Sequence, residues 1–133
     1  MTPRVLLVDD LPFMRSLLSD ILTGAGMEVA AQAENGEQAL YAYRSAEPDV
    51  VLMDIAMPQM DGITALRKLR RMDGDARVIM CSSMGEQSMI VRAVQLGARD
   101  FVVKPFKPER VVSAITRVLE VDGLRSGGEY GRP

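Results

Sequence analysis

Short apolar runs alternate with amphipathic stretches five times along this chain. Val5–Asp9, Glu28–Ala33, Val50–Asp54, Arg77–Cys81 and Phe101–Lys104 read as strands. Runs such as Val5-Leu6-Leu7-Val8 and Val50-Val51-Leu52-Met53 have no polar alternation, as expected for strands covered on both faces. The intervening segments carry helical spacing. The first opens at Pro12, whose missing N–H costs nothing in a first turn, and repeats apolar residues at Phe13, Leu17, Leu18, Ile21 and Leu22 before Gly24 and Gly26 stop it. Further helices are expected over Gly36–Ala46, Gly62–Met72, Gln87–Leu96 and Pro108–Leu119. A βαβ series with short connections predicts an α/β domain, a doubly wound parallel sheet with helices on both faces.

Two of the strands end abruptly on acid. Asp9 and Asp10 follow the first, and Asp54 closes the third. In open α/β sheets ligands bind at the carboxyl ends of the strands, so these carboxylates are expected to share that edge. Three carboxylates brought together repel and raise one another's pKa unless a cation joins them, and a hard, oxygen-binding ion such as Mg²⁺ is the natural complement. Each signal alone has a plainer meaning: Asp9-Asp10 as a helix cap with a first-turn acid, Lys104-Pro105-Phe106 as a loop, Ser82 as a turn residue. Only their joint spacing favours a site.

Composition narrows the choices. With 133 residues, 47% hydrophobic and 26% charged, the chain is one ordinary globular domain. The net charge of -2 gives no general reason to bind nucleic acid or an anionic membrane. No apolar stretch approaches the ~20 residues that span a bilayer, and the first strand begins too early for a signal peptide. The single cysteine, Cys81, excludes an internal disulfide and suits a reducing cytoplasm; it reads as a buried structural residue. The absence of histidine excludes imidazole catalysis, histidine-ligated metal and a phosphohistidine on this chain. The basic run Arg67, Lys68, Arg70 and Arg71 reads as a solvated helix face. Most of the ten methionines read as core filler; Met84 and Met89, flanking the fourth helix, read first as packing and second as a partly exposed surface that repacks around a partner.

Taken together, Leu7-Val8-Asp9-Asp10, Met53-Asp54-Ile55-Ala56-Met57-Pro58-Gln59-Met60-Asp61-Gly62, Cys81-Ser82-Ser83 and Val103-Lys104-Pro105-Phe106 resemble the four signatures of the response-regulator receiver domain, in order and at matching spacing over residues 4 to 120. Cys81-Ser82-Ser83-Met84-Gly85-Glu86-Gln87 and Pro12-Phe13-Met14-Arg15 further resemble the single-domain chemotaxis response regulators (CheY-like). The resemblance implies a five-stranded, flavodoxin-like (βα)5 fold with strand order 2-1-3-4-5. It implies a receiver domain over 1–121; the glycine-rich, polar stretch over 122–133 reads from its composition as a flexible tail, a frayed terminus or else a remnant of a linker.

It also implies a set of roles. Asp54 would be the phosphoacceptor, served by a partner histidine kinase of the chemotaxis type. Asp10 and Asp54 would hold Mg²⁺ directly, Asp9 through water, and Ala56 through its backbone carbonyl. Lys104 would contact the phosphoryl oxygens, and the Lys104–Pro105 bond resembles the family's cis peptide. Ser82 and Phe101 would report phosphorylation, Phe101 by packing alone because it lacks a tyrosine hydroxyl. Ala56 and Met84, each two residues past a site residue, leave the dephosphorylation rate open.

The implied protein is a cytoplasmic, monomeric signalling module, not an enzyme in the ordinary sense, with Mg²⁺-dependent self-phosphorylation and slow self-dephosphorylation. Its partners would be the kinase, a flagellar motor switch protein and a dedicated phosphatase, with no nucleic acid and no membrane. The alternatives are a receiver of another pathway or a phosphate sink, and a hydrolase with an aspartyl nucleophile. The last resembles Asp-x-Asp after the first strand, whereas here the second acid is misplaced: Asp9 is followed by Asp10, Leu11 and Pro12.

Overall fold

The computed structural model describes residues 2–83 and 86–121. Its elements run β1 (Arg4–Val8), α1 (Pro12–Gly24), β2 (Glu28–Ala33), α2 (Gly36–Ala46), β3 (Val50–Asp54), α3 (Gly62–Met72), β4 (Val78–Ser83), α4 (Gln87–Gln95), β5 (Asp100–Lys104) and α5 (Pro108–Val121). All the strand pairs are parallel, in the order β2-β1-β3-β4-β5. The expected fold class and strand order are therefore found. β4 starts one residue later than the apolar pattern suggested and runs two residues further, because its ladder with β5 continues through Ser82↔Val103 and Ser83↔Lys104. Ser82 is thus a strand residue rather than the start of a loop. The expected tail over 122–133 and the reading of Met84 lie outside the described residues.

The two-residue period of a strand sorts the sheet's side chains into two cores. Leu6, Val8, Val51, Met53, Val78 and Met80 pack with Ala39 and Ala42 of α2, Ile63, Leu66 and Leu69 of α3, and Ala93 of α4. Val5, Leu7, Val50, Leu52, Ile79 and Cys81 pack on the other face with Leu18 and Leu22 of α1 and Val111, Ile115 and Val118 of α5. This double cover explains why β1, β3 and β4 read as unbroken apolar runs. α4 is held most lightly of the helices bordering the site: Ala93 is its one buried residue.

Local chemistry fixes the helix ends. Asn35 and Asp61 cap α2 and α3 by accepting the Gln38 and Thr64 amides, each at 2.8 Å. Asp73, past the end of α3, accepts the Tyr43 hydroxyl at 2.7 Å and the Asp75 amide at 2.9 Å, tying α2 to α3. The basic run on α3 is only partly a solvated face. Lys68 and Arg71 are exposed, but Arg67 and Arg70 are half-buried, and Arg70 also donates to the Gly74 carbonyl.

The Tyr43 hydrogen bond, with that of the Asp75 amide, holds the Asp73 carboxyl below its ordinary value. A depressed carboxylate contributes stability above its unfolded pKa and loses it as pH falls through the folded one. Tyr43→Phe should therefore cost about 1 kcal/mol at neutral pH, an amount limited by the partial exposure of the pair. The difference from wild type should shrink below about pH 4, as measured by urea denaturation at several pH values.

Candidate functional site: an acidic pocket at the sheet edge

Adjacent parallel strands bring the acids together. β1 pairs with β3 in the register Val8↔Met53, so Asp9 and Asp54 emerge side by side one residue later. Carboxylate oxygens of Asp9, Asp10 and Asp54 all lie within 4.8 Å of one another. Asp9 is 1% exposed and Asp54 7%, while Asp10 is half-buried. Lys104, from the end of β5, reaches across β4 and places its Nζ 3.0 Å from Asp9 Oδ2 and 3.3 Å from Asp54 Oδ1. The Lys104–Pro105 peptide is cis, as expected.

One ammonium does not balance three carboxylates. Burial, opposed by Lys104 and reinforced by Asp9 and Asp10, pushes the Asp54 carboxyl up to about 6. For Lys104, burial favours the neutral amine, but the attraction of Asp54 and Asp9 outweighs it and raises the pKa. The ammonium therefore stays charged at neutral pH. The donor set is all oxygen, hard and in excess negative charge, and so suits a hard divalent cation. The pocket can hold such an ion.

Asp9 performs both roles considered for it. Its Oδ1 accepts the Leu11 amide at 3.0 Å, a local turn that leads into α1, while its Oδ2 binds Lys104. The helix consequently starts with Leu11 at its cap position and no side-chain cap, relying on Pro12. The β3–α3 loop is just as constrained. The Gly62 amide donates to the Ile55 carbonyl at 2.8 Å, and a Cβ on Gly62 would run into the Asp54 carbonyl and stand 2.9 Å from Ile55 Cα. A glycine there lets α3 begin against the backbone of β3. Ala56 is exposed in this loop, two residues past Asp54.

Ser82 is wholly buried, and its Oγ has no hydrogen-bond partner among the described residues. A buried hydroxyl left without a partner costs about 1–3 kcal/mol. Phe101 is half-buried against the α2–α3–α4 core, and its carbonyl accepts Arg110 Nη2 at 2.6 Å. Cys81 is buried with its thiol pushed up to about 12 by desolvation, in keeping with a structural role. Asp9, Asp10, Asp54 and Lys104 thus meet at the carboxyl edge of the sheet with Ser82 near the end of β4, while Phe101 lies further back on β5, paired with Met80.

Two features escaped the sequence. Phe13 is 75% exposed, and Leu17, one turn further along α1, is exposed as well. The helical spacing was real, but the stripe that packs inward is Met14, Leu18, Ile21 and Leu22. Counting fourfold steps back from the buried Leu22 through Leu18 to Met14 would have separated the two stripes. Arg15 entered the reading only as part of Pro12-Phe13-Met14-Arg15, and nothing in the sequence announced that its guanidinium reaches the Asp9 carbonyl at 2.7 Å.

A model of the response regulator receiver domain matches residues 5–116. The chain belongs to this family. The receiver is 55% identical to the chemotaxis protein CheY of Bacillus subtilis (strain 168) over 119 residues, 90% of this chain and 99% of that one. It is 51% identical to the chemotaxis protein CheY of Thermotoga maritima over 118 residues, 89% of this chain and 98% of that one. Among solved structures, the CheX-CheY-BeF3-Mg+2 complex from Borrelia burgdorferi superposes with a TM-score of 0.83 at 36% identity, covering 87% of this chain and 88% of that chain. CheY-like receivers are signalling proteins rather than classical enzymes, which places this receiver with phosphoacceptor response regulators. Among the described residues no helix is long and apolar enough to cross a membrane.

Because the folded-state pKa of Asp54 is raised, its contribution to stability is present below the unfolded value near about 4 and is lost as pH rises through about 6. With a chelator present, Asp54→Asn should stabilise the fold at neutral pH by about 1–2 kcal/mol after allowance for screening. The gain should vanish below about pH 4 in denaturation curves.

Proposed function

We propose that this receiver is a stand-alone response regulator that takes a phosphoryl group onto Asp54 from a phosphohistidine of a chemotaxis-type histidine kinase. The observation that carries this reading is the bridge of Lys104 between Asp9 and Asp54, at 3.0 and 3.3 Å, with Asp10 completing the acidic group. A carboxylate oxygen of Asp54 attacks phosphorus. A P–O bond forms while the P–N bond of the phosphohistidine breaks, and the imidazole leaves with the electron pair. Such transfer depends on alignment and charge neutralisation more than on covalent chemistry from the protein. Lys104 then shifts its contact from the Asp54 carboxylate to the incoming phosphoryl oxygens, as a mobile point charge.

The residues fit Mg²⁺: Asp10 and Asp54 as direct ligands, Asp9 through water, and the Ala56 carbonyl. When bound, the ion offsets the negative charge of the carboxylates and the phosphoryl group. The indirect place of Asp9 is supported by its engagement with Leu11 and Lys104. The unpartnered Ser82 hydroxyl answers the added negative charge by donating to a phosphoryl oxygen, and the movement of Ser82 lets Phe101 turn inward.

The output face is that of α4, β5 and α5, where Val91 and Val94 are exposed. The flagellar motor switch is the target we assign, on the strength of near full-length identity to chemotaxis proteins. The exposed Phe13 and Leu17 of α1, the helix that follows Asp9 and Asp10, suit the docking of the kinase or of a dedicated phosphatase. The protein acts as a cytoplasmic monomer.

Incubation with Mg²⁺ and a small phosphodonor, read by intact mass, should add one phosphoryl group to the wild type and none to Asp54→Asn. Labelling of Asp54→Asn would move the acceptor elsewhere. Asp10→Ala should weaken Mg²⁺ binding by about tenfold or more in a fluorescence titration, since it removes a direct ligand.

Ser82→Ala should still accept the phosphoryl group, yet lose most of the phosphorylation dependence of target binding, because a ligand shifts a two-state equilibrium only by its differential affinity. Binding of motor switch protein to the variant with full phosphorylation dependence would show that the switch does not run through Ser82.

A further inference from the structure

Asp9 is gripped at every polar atom. Its amide donates to the Ala33 carbonyl at 3.1 Å, its Oδ1 accepts the Leu11 amide at 3.0 Å, and its Oδ2 accepts Lys104 at 3.0 Å. The fourth atom, the carbonyl oxygen, accepts Arg15 Nη1 at 2.7 Å. The other side of the same guanidinium donates from Nε to Gln32 Oε1 at 3.2 Å, on the edge strand β2. Three of these contacts set the amide and carboxylate of Asp9 itself. The contact to the carbonyl does something different. A peptide group is planar, so the Asp9 oxygen lies in one plane with the nitrogen and Cα of Asp10. Fixing that oxygen fixes the platform from which the Asp10 carboxylate projects.

We infer that Arg15 is a positioning residue for the acidic pocket: it locks the Asp9–Asp10 peptide plane and thereby orients the Asp10 carboxylate towards a bound divalent ion. The inference rests on the reading of the pocket as a Mg²⁺ site. Lysine is a poor substitute, because one ammonium cannot present two divergent donors in a rigid plane. Partners held one layer behind metal ligands commonly control affinity by about 10- to 100-fold, which sets the scale expected here.

The test compares Mg²⁺ titrations of the wild type, Arg15→Met, Arg15→Lys and Arg4→Met. Arg4 is a control of the same kind at the opposite end of the sheet, where its guanidinium holds the carbonyls of Ala46 and Glu47 at 2.8 and 2.9 Å. Arg15→Met should weaken Mg²⁺ binding about tenfold, and Arg15→Lys should recover only part of the loss. Arg4→Met should lower stability while keeping wild-type Mg²⁺ affinity. Unchanged affinity in Arg15→Met, or an equal loss in Arg4→Met, would overturn the inference. If Arg15→Met does not fold, Arg15→Lys decides alone, and wild-type affinity in it is the overturning result. If the wild type itself fails to bind Mg²⁺, the metal reading falls. Hydrogen exchange at the Asp10 amide of the metal-free protein then judges Arg15 directly: faster exchange in the variants supports the clamp, and unchanged exchange refutes it.

Discussion

The site depends on holding three carboxylates closer together than their charges favour. Parallel pairing supplies the force. β1 and β3 are buried on both faces, so the apolar free energy that fixes their register also fixes Asp9 beside Asp54. Lys104 offsets only part of the repulsion, and the Asp54 carboxyl is left with a raised pKa. The order β2-β1-β3-β4-β5 is what makes even this compensation available, because it sets β5 close enough for a four-carbon side chain to span β4.

Three costs meet near the pocket. Asp54 carries a charge that Lys104 offsets only in part, Ser82 a hydroxyl without a partner among the described residues, and the loop after β3 a left-handed residue at Gln59, φ 67°. Each costs on the order of 1–3 kcal/mol, and each sits at the carboxyl edge of the sheet. At the opposite edge Glu47 is also left-handed, φ 48°, where it closes α2, and there Arg4, Asp49 and Arg77 share backbone and carboxylate partners. A phosphoryl group and a divalent cation arriving together would supply what this edge lacks: positive charge for the acids and acceptor oxygens for Ser82.

Much of this was legible in the residues. Strands covered on both faces leave apolar runs with no polar breaks, and Asp10 and Asp54 mark their ends. Glycines at 24, 26, 36, 62 and 97 bracket helices where the pattern placed them. Legibility failed where a side chain's fate depends on rotation about an axis. Phe13 and Leu17 lie one step round α1 from the buried stripe, and hydropathy cannot say which of two adjacent stripes meets the sheet. It failed again at the end of β4, where Ser82 and Ser83 are polar but are held by the ladder to β5. The Arg15 contact is a long side chain meeting a backbone oxygen, and nothing in residue type announces it.

The light anchoring of α4 has a thermodynamic meaning. With Ala93 as its one buried side chain, the helix gives up little apolar burial when it lifts from the sheet, whereas α3 would expose Ile63, Leu66 and Leu69. Opening free energies in a protein range from near zero to the full unfolding value, and α4 belongs at the low end of that range. Of the helices bordering the site, α4 is therefore the cheapest to rearrange. A small free-energy change at the sheet edge, too weak to disturb either core, is sufficient to redistribute the populations of this one helix.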